Sequence, residues 1–306
     1  MPGPLTAAPR TLLRRTSARL HGATAVLSLC AALVVAPAAA AESRTDGTPP
    51  VVSAGQVMPH LHALQQIADR NGGNRAHGTP GYRDSVAYVK AALDKAGFQT
   101  SLHKFTYNGT EGYNLIADWP GGDADHILFA GAHLDSVEEG PGMNDNGSGS
   151  TALLATALEV SKAGLKPDRH LRFAWWGAEE QGLKGSEAYL RDLPAAERAR
   201  IDLYLNVDMA GTKDNKVWYV VDDNAAAAKA FKDYFAARKL RTEEIGVGGS
   251  DHESFGNVGI PTGGFATEIN ECLHEACDRI EQIDPETETT STNAFISTVW
   301  QLAARS

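Results

Sequence analysis

The side chains best suited to chemistry in this sequence are two adjacent glutamates, Glu179 and Glu180, which follow the apolar run 171–177. Neighbouring residues that leave a strand point in different directions, so one carboxylate can hold a metal ion while the other handles a proton. Taken alone, the pair is more typical of solvated glutamates at the start of a helix. Its functional reading therefore depends on which other side chains lie nearby.

Five further imidazole and carboxylate side chains occur after predicted strands, in a glycine-rich turn or between two cysteines: His133, Asp135, Asp145, Asp208 and His274. Imidazole and carboxylate together are the ligands of zinc sites that keep a position open for water. Two histidines and three carboxylates, with one glutamate to spare, could hold two metal ions that share a carboxylate. Each residue alone could instead be a helix cap, a turn residue or a surface histidine. Their occurrence at successive strand ends favours a metal site.

The elements that would position these side chains alternate between strands and helices. Buried apolar runs at 126–132, 171–176 and 201–207 predict central strands of a parallel sheet. Further strands are predicted at 98–105, 113–119, 217–221 and 260–265, and helices at 57–68, 83–96, 148–162, 185–192, 225–238 and 292–304. The alternation predicts a three-layer, doubly wound α/β fold, with a mostly parallel mixed sheet and helices on both faces. Ligands bind such sheets outside the carboxyl ends of the strands, where the candidate residues occur.

The N-terminal segment predicts export from the cell. Four arginines precede the apolar run 23–35, and the small-residue tract 38–41 follows it. This is the layout of a secretory signal peptide over residues 1–41, and the apolar run is too short for a comfortable membrane span. We therefore expect a secreted, extracellular protein with no membrane partner after cleavage. Residues 42–54 are predicted to form a flexible lead-in, and residues 55–306 a single catalytic domain.

Charge and cysteine content agree with that setting. The formal net charge is −10, and loss of the four arginines of the signal peptide makes it −14. Such a balance argues against nucleic acid or an anionic membrane as a partner. Cys30 would leave with the signal peptide, so that Cys272 and Cys277 remain. An even pair five residues apart in an exported chain favours a local disulfide, with two free thiols as the alternative.

Four segments carry a family resemblance, at 131–137, 142–150, 172–182 and 205–211, and the stretch 74–82 adds a fifth. They closely resemble the co-catalytic dizinc aminopeptidases of the secreted bacterial leucyl aminopeptidase type, which have a zinc-peptidase fold. The similarity runs from about residue 55 to the end of the chain. Four motifs in the same order make the resemblance specific.

The resemblance implies a role for each candidate. Asp145 would bridge two zinc ions, His133 and Asp208 would complete one site, and Glu180 and His274 the other. Glu179 would be the general base, and Asp135 would accept the second N–H of the His133 imidazole. The resemblance also implies a cis peptide bond between Asp145 and Asn146 and a disulfide between Cys272 and Cys277.

The implied activity is removal of the N-terminal residue, large and apolar, from peptides with a free N-terminus, by a monomeric enzyme with two zinc ions. Two positions depart from the family pattern. Leu273 replaces a tyrosine whose hydroxyl often steadies the oxyanion, and Gly249 replaces an arginine that is often present. These departures concern how the substrate is held, not how metal is bound.

Three alternatives remain open at this stage. A glutaminyl cyclase-like acyltransferase would use a single zinc ion on the same fold. A carboxypeptidase would need a basic residue for the terminal carboxylate, such as Arg75 or Arg83, and a non-catalytic binding module should lack ligands or base. Asp284, Glu286 and Glu288 could also bind calcium, although acidic clusters are more often solvated surface.

Overall fold

The structure, a computed structural model, describes residues 47–304. Within this range, eight strands form one mixed sheet. The strands are β1 (Gln99–Tyr107), β2 (Thr110–Asp118), β3 (Asp123–His133), β4 (Arg169–Trp176), β5 (Ile201–Asp208), β6 (Val217–Val221), β7 (Arg241–Ile245) and β8 (Thr262–Ala266). The helices are α1 (Ala54–Arg70), α2 (Pro80–Lys95), α3 (Gly149–Ala163), α4 (Lys184–Asp192), α5 (Ala195–Arg198), α6 (Ala225–Ala236), α7 (His252–Gly256) and α8 (Pro285–Ala303).

The order of the strands is β1-β2-β4-β3-β5-β8-β6-β7. The four central strands, β4, β3, β5 and β8, are parallel to their neighbours within this group. Antiparallel pairs join β2 to β1 and β4 on one side and β6 to β8 on the other. Because the central strands run in one direction, the residues that follow them lie at one edge of the sheet.

Both faces of the sheet are covered, as the alternation of side chains along β3 shows. Leu128, Ala130 and Ala132 belong to the larger core, which they share with residues of α1, α2, α3, α6 and α8. Ile127 and Phe129 belong to a second core that includes residues of α4 and α7. Successive residues of a strand point to opposite faces, so helices lie on both faces of the sheet. The predicted three-layer α/β fold is confirmed.

The C-terminal third differs from the prediction at β7 and at the start of the last helix. Strand β7 was not predicted, because its sequence Arg-Thr-Glu-Glu-Ile is charged and largely exposed, as suits a strand at the edge of a sheet. The last helix begins at Pro285 rather than at residue 292. Asp284 caps it by accepting the N–H of Thr287, and proline at the first helical position is preorganised for the helix.

The N-terminal predictions fall partly outside the described residues. The predicted signal peptide, residues 1–41, lies outside them, together with residues 42–46 of the predicted lead-in. The end of the lead-in is anchored rather than flexible, because Val52 is buried and Asn293 of α8 bonds both its N–H and its carbonyl group. Within the described range, the helices are all too short or too polar to cross a membrane.

Candidate active site

The carboxyl edge of the central strands brings the predicted site residues together: His133, Asp145, Glu179, Glu180, Asp208 and His274. His133 and Asp208 are the last residues of β3 and β5. The two glutamates follow β4 by three and four residues, and His274 lies in the loop after β8. Asp145 lies in the tight turn Met143–Ser148, which leads directly into α3.

Asp145 lies between the two histidines. Its Oδ1 is 3.1 Å from Nε2 of His133, and its Oδ2 is 3.1 Å from Nε2 of His274. Asp208 adds an oxygen 3.4 Å from the His133 nitrogen, and Glu180 adds one 3.2 Å from the His274 nitrogen. The site therefore contains two neighbouring groups of potential ligands that share one carboxylate.

The adjacent glutamates face different parts of this arrangement. Glu180 lies on the His274 side, whereas the Oε2 atom of Glu179 is 3.9 Å from Nε2 of His133. Glu179 is therefore the most distant of the three carboxylates around that nitrogen. Ala178, just before the pair, has a positive φ of 55°, which turns the chain sharply after β4.

Asp135 contacts the glutamate pair as well as His133. Nδ1 of His133 lies 3.2 Å from the backbone carbonyl oxygen of Asp135 and 3.6 Å from its Oδ1 atom. The Asp135 carboxylate also accepts the backbone N–H of Glu179 at 3.2 Å and that of Glu180 at 3.4 Å. Sequence reasoning missed this second contact, because an acceptor of backbone N–H groups leaves no residue pattern.

The turn that carries Asp145 is shaped by its backbone. The Asp145–Asn146 peptide bond is cis, as the family resemblance implies. Gly142 has a φ of +59°, and a Cβ atom there would come within 2.3 Å of the Asp145 carbonyl oxygen. Only glycine fits such a close approach of the backbone at a positive φ.

Asp278 holds this turn from the C-terminal segment. Its buried carboxylate accepts the N–H of Asn144 at 2.8 Å and the N–H of Asp145 at 2.9 Å. Burial raises the pKa of Asp278 to about 6, although the two N–H groups oppose that shift. The sequence signal for Asp278 is weak, since it is an acidic residue directly after Cys277 in a segment without periodicity.

The 209–211 loop, which follows Asp208, is bonded to the same turn. Its three successive N–H groups, of Met209, Ala210 and Gly211, donate to side-chain oxygens. The acceptors are Asn146, Ser148 and Asn144, at 3.2, 2.7 and 3.2 Å. The segment that follows Asp208 is thereby bonded, through its backbone N–H groups, to side chains of the turn that carries Asp145.

The loop of His274 is closed by a disulfide bond between Cys272 and Cys277, as predicted. His274 has a positive φ of 59°, and 54% of its side chain is exposed. The histidine thus reaches the buried Asp145 from the solvent side of the site. Leu273, just before it, is half-buried and offers no hydrogen-bond donor in its side chain.

The charges of the site act strongly on one another. Burial alone would lower the pKa of His133, but Glu179, Asp208 and their neighbours raise it well above its ordinary value. The hydrogen bond to Asp145 raises the pKa of His274 to about 9. Burial, assisted by the negative charge of Asp145, raises the pKa of Glu180 to about 8. The site holds more carboxylates than histidines, so a cation between the carboxylates would relieve their mutual repulsion.

The donor atoms fit a divalent metal. Nε2 of His133, Oε1 of Glu180 and Oδ1 of Asp208 are buried and have no hydrogen-bond partner among the described residues. Two groups of possible ligand atoms share His133, and within each group the atoms lie within 4.8 Å of one another. One group adds Glu179 and Asp208, and the other adds Asp145 and Glu180. Buried polar atoms rarely lack partners, and imidazole with carboxylate is a typical donor set for zinc.

The residues considered for other roles are engaged differently. Arg75 is completely buried, and its guanidinium donates to the carbonyl groups of Leu134, Pro141 and Gly142, so it is not free to bind a substrate carboxylate. The calcium prediction finds no support at the start of α8, where Asp284 is the helix cap and Glu288 is buried. The metal-ligand groups found in residues 47–304 do not include these acidic residues.

Sequence comparison relates the chain to known peptidases. A model of peptidase family M28 matches residues 114–299. Leupeptin-inactivating enzyme 1 of Streptomyces exfoliatus is 46% identical over 295 residues, which cover 89% of this chain and 66% of that protein. An aminopeptidase of Pseudomonas aeruginosa is 37% identical over 207 residues, which cover 57% of this chain and 38% of that protein. The chain thus spans less than two thirds of the length of either relative.

Solved structures share the fold. BSAP, a zinc aminopeptidase from Bacillus subtilis, matches with a TM-score of 0.75 and 16% identity over 83% of this chain and 96% of that chain. An aminopeptidase from Aneurinibacillus sp. strain AM-1 matches with a TM-score of 0.72 and 18% identity over 81% of this chain and 93% of that chain. These likenesses agree with the resemblance seen in the sequence motifs, and the family model, which matches more than half of the chain, shows that the chain belongs to peptidase family M28.

Proposed function

We propose that this chain is a zinc-dependent aminopeptidase that hydrolyses the bond after the N-terminal residue of a peptide. The observation that carries the proposal is the position of Asp145, whose two oxygens each lie 3.1 Å from a different histidine. A carboxylate that faces two imidazoles in this way supports a centre of two metal ions with Asp145 between them. Membership of a peptidase family and the name of the Pseudomonas aeruginosa relative, an aminopeptidase, support the same activity.

Each potential ligand has a place in this proposal. His133 and Asp208 would hold one zinc ion, Glu180 and His274 would hold the other, and Asp145 would be shared by both. When bound, zinc lowers the pKa of a water molecule that it holds and polarises the carbonyl group of the scissile bond. Asp135 would keep the orientation of His133 and of the loop that carries the two glutamates.

Glu179 is the proposed general base. Its carboxylate is farther from His133 than those of Asp145 and Asp208, which leaves it free to contact a water molecule. Glu179 would take a proton from the attacking water and then give it to the leaving amine. The adjacent Glu180 faces His274, so the two carboxylates would divide metal binding and proton transfer between them.

A cavity of about 70 Å³ lies beside Asp208, and we assign it to the side chain of the N-terminal residue. Its apolar walls come from Met209, Val221, Ile245 and Phe265. Gly249 also lines it, at a position where a longer basic side chain would have brought charge. We therefore propose that large apolar residues, such as leucine or methionine, are removed faster than acidic or basic ones.

Hydrolysis of aminoacyl-nitroanilides tests the activity directly. Leucyl and methionyl substrates should be cleaved, arginyl and aspartyl substrates should be cleaved more slowly, and N-acetyl-leucyl-nitroanilide should resist. Chelation should abolish turnover, and added zinc should restore it. Equal rates on free and N-acetylated substrates would contradict an aminopeptidase. Cyclisation of N-terminal glutamine with one zinc ion per chain would indicate an acyltransferase instead.

Two matched variants separate base from ligand. Glu179→Gln should retain the zinc content of the wild-type protein but lose roughly 10²- to 10⁴-fold in kcat. Glu180→Gln, with the same chemical change one residue away, should lose zinc at a chelator concentration that the wild-type protein withstands. If both variants lose zinc equally, Glu179 is a ligand and the proposed base is wrong.

Export is proposed on separate grounds. The N-terminal pattern of arginines, apolar run and alanine tract is typical of a signal peptide. The disulfide between Cys272 and Cys277 supports an oxidising compartment. N-terminal sequencing of protein from the culture medium of an expressing bacterium should find a start near Glu42. Recovery of the whole chain inside the cell would contradict the proposal.

A further inference from the structure

Glu288 is a carboxyl group that the proposed reaction does not use and that the fold buries completely. It lies in the first turn of α8, and neither of its oxygens has a hydrogen-bond partner among the described residues. The hydroxyl of Thr292, one turn further along the helix, is the polar group that lowers the pKa of Glu288, against the effect of burial. Glutamate is almost never fully buried without a partner, so this position needs a physical explanation.

The carboxyl group packs against Gly211. Its Oε2 atom lies 2.7 Å from the position that a Cβ atom of residue 211 would take, and two carbon atoms of the Ile283 side chain lie 3.1 and 3.2 Å away. The carbonyl oxygen of Gly211 also accepts the N–H of Asp284 at 2.9 Å. The absence of a side chain at residue 211 therefore makes room for Glu288, and the start of α8 contacts the 209–211 loop directly.

That loop connects Glu288 to the metal-binding residues. It begins immediately after Asp208, and its three N–H groups are bonded to the turn that contains Asp145. Glu288 does not touch either potential ligand itself. A change at its carboxyl group can reach the site by moving the 209–211 loop, which would disturb both Asp208 and the Asp145 turn.

Charged groups near Glu288 are engaged with other partners or exposed. On α8 itself, Asp284 caps the helix and Glu286 is exposed, and after the 209–211 loop Lys213 and Asp214 are exposed. The helices packed on α8 have their own ion pairs: Asp69 of α1 with Arg279, Glu159 of α3 with Lys162, and Lys229 and Lys232 of α6 with Asp233 and Glu244. Burial therefore dominates and raises the pKa of Glu288 well above its ordinary value, opposed by the Thr292 hydroxyl.

We infer that Glu288 is a proton-linked positioning residue, whose neutral carboxyl group supports the 209–211 loop and whose ionisation at higher pH loosens that loop. The physical reason is that an ionised carboxylate without a partner is very unfavourable in a buried site. The charge can be relieved if the contact between Glu288 and Gly211 opens and admits water. Such an opening would weaken the hydrogen bonds between the 209–211 loop and the turn that carries Asp145.

The sign of the stability effect follows from proton binding. The folded chain keeps the Glu288 proton to a higher pH than the unfolded chain does, so the folded state binds more protons between the two pKa values. The contribution of Glu288 to the free energy of unfolding is complete below the pKa that this group has in the unfolded chain. It is lost as the pH rises toward the pKa that the group has in the folded chain. The unfolding equilibrium constant should therefore rise about tenfold per pH unit from about pH 5 upward because of this one proton.

Urea unfolding of the zinc-loaded protein at a series of pH values tests the inference. Glu288→Gln keeps the shape of the side chain and cannot ionise, so the wild-type constant should rise about tenfold per pH unit relative to this variant. Glu286→Gln, an exposed neighbour on the same helix, should follow the wild-type curve. If the unfolding constants of the wild-type protein and of Glu288→Gln change in parallel with pH, the inference is overturned. A purely structural role would change the constant by the same factor at every pH.

Activity provides the second readout. This part rests on the proposed aminopeptidase function, whereas the unfolding experiment does not, so the two can fail separately. Glu288→Gln should keep kcat/KM at neutral pH within about twofold and retain activity at alkaline pH where the wild-type enzyme declines reversibly. If Glu288→Gln does not fold, Glu288→Leu replaces it in both experiments. An alkaline decline shared by wild type and neutral variant would show that Glu288 does not position the site.

Discussion

The carboxylate of Asp278 accepts the backbone N–H of Asp145 at 2.9 Å, so a residue directly after the disulfide fixes the one that lies between the two histidines. The same carboxylate accepts the N–H of Asn144 at 2.8 Å. Both N–H groups belong to the turn Met143–Ser148, and their acceptor is Asp278 rather than an atom of the turn itself. The position of Asp145 therefore depends on a residue 133 positions further along the chain.

Asp278→Asn should weaken zinc binding. The asparagine amide keeps one acceptor but directs an N–H₂ group at a backbone N–H, so one of the two bonds becomes repulsive. Loss of an outer partner of a ligand typically costs 10- to 100-fold in metal affinity or activity. Titration with a competing chelator should show a loss of that size. Asp233→Asn, at an exposed aspartate that forms an ion pair with Lys229, should bind zinc like the wild-type protein.

Asp135→Asn should lower kcat more than it lowers zinc affinity. The Asp135 carboxylate accepts the N–H groups of Glu179 and Glu180, so its loss would disturb the proposed base together with one proposed ligand. We expect kcat to fall roughly 10- to 100-fold, with the zinc content unchanged at saturating zinc. Steady-state kinetics and zinc analysis of the same sample measure the two effects. A variant with wild-type kcat would show that the pair is held by other contacts.

The site could be predicted largely from the sequence because its residues directly follow buried strands. The runs that became β3, β4 and β5 are apolar, and the polar residues after them, His133, Glu179 and Asp208, stand out against that background. Parallel neighbours then place those residues at one edge of the sheet. The roles of His274 and Asp145 depended on motif resemblance, since neither follows a buried run.

Backbone acceptors and helix registers could not be predicted in this way. Asp278, Asn144 and Ser148 act by accepting backbone N–H groups across large sequence separations, which no periodicity records. Glu288 was read as a surface residue because the threonine-rich start of α8 hides the helix, which has its cap at Asp284. Threonine lowers helix propensity, and here tertiary packing overrides that preference.

Gly211→Ala should destabilise the fold and the metal site together. A Cβ atom at residue 211 would lie 2.7 Å from Oε2 of Glu288 and about 3 Å from Ile283 atoms. Overpacking of this kind typically costs about 1–3 kcal/mol. Chemical denaturation should measure the loss, and zinc affinity should fall because the 209–211 loop moves.

A double-mutant cycle identifies the clash. If Glu288 is the group displaced, Gly211→Ala should cost less in a Glu288→Ala background than in the wild-type chain, because the truncated side chain leaves room. Gly109→Ala is a matched control at a turn glycine where no atom lies within 4 Å of the added Cβ, although its positive φ carries a strain of its own. Equal costs for Gly211→Ala in both backgrounds would mean that Ile283 alone resists the change.

Leu273→Tyr should raise kcat. Leu273 precedes His274 in the disulfide-closed loop and cannot donate a hydrogen bond to the oxyanion that would form in the proposed reaction, when water attacks the carbonyl group. A donor that acts only on the developing charge stabilises the transition state and not the bound substrate, so kcat should rise while KM stays nearly constant. We expect an increase of roughly tenfold or more on leucyl-nitroanilide. Leu273→Phe supplies the ring without the hydroxyl, and an equal gain in that variant would assign the effect to packing.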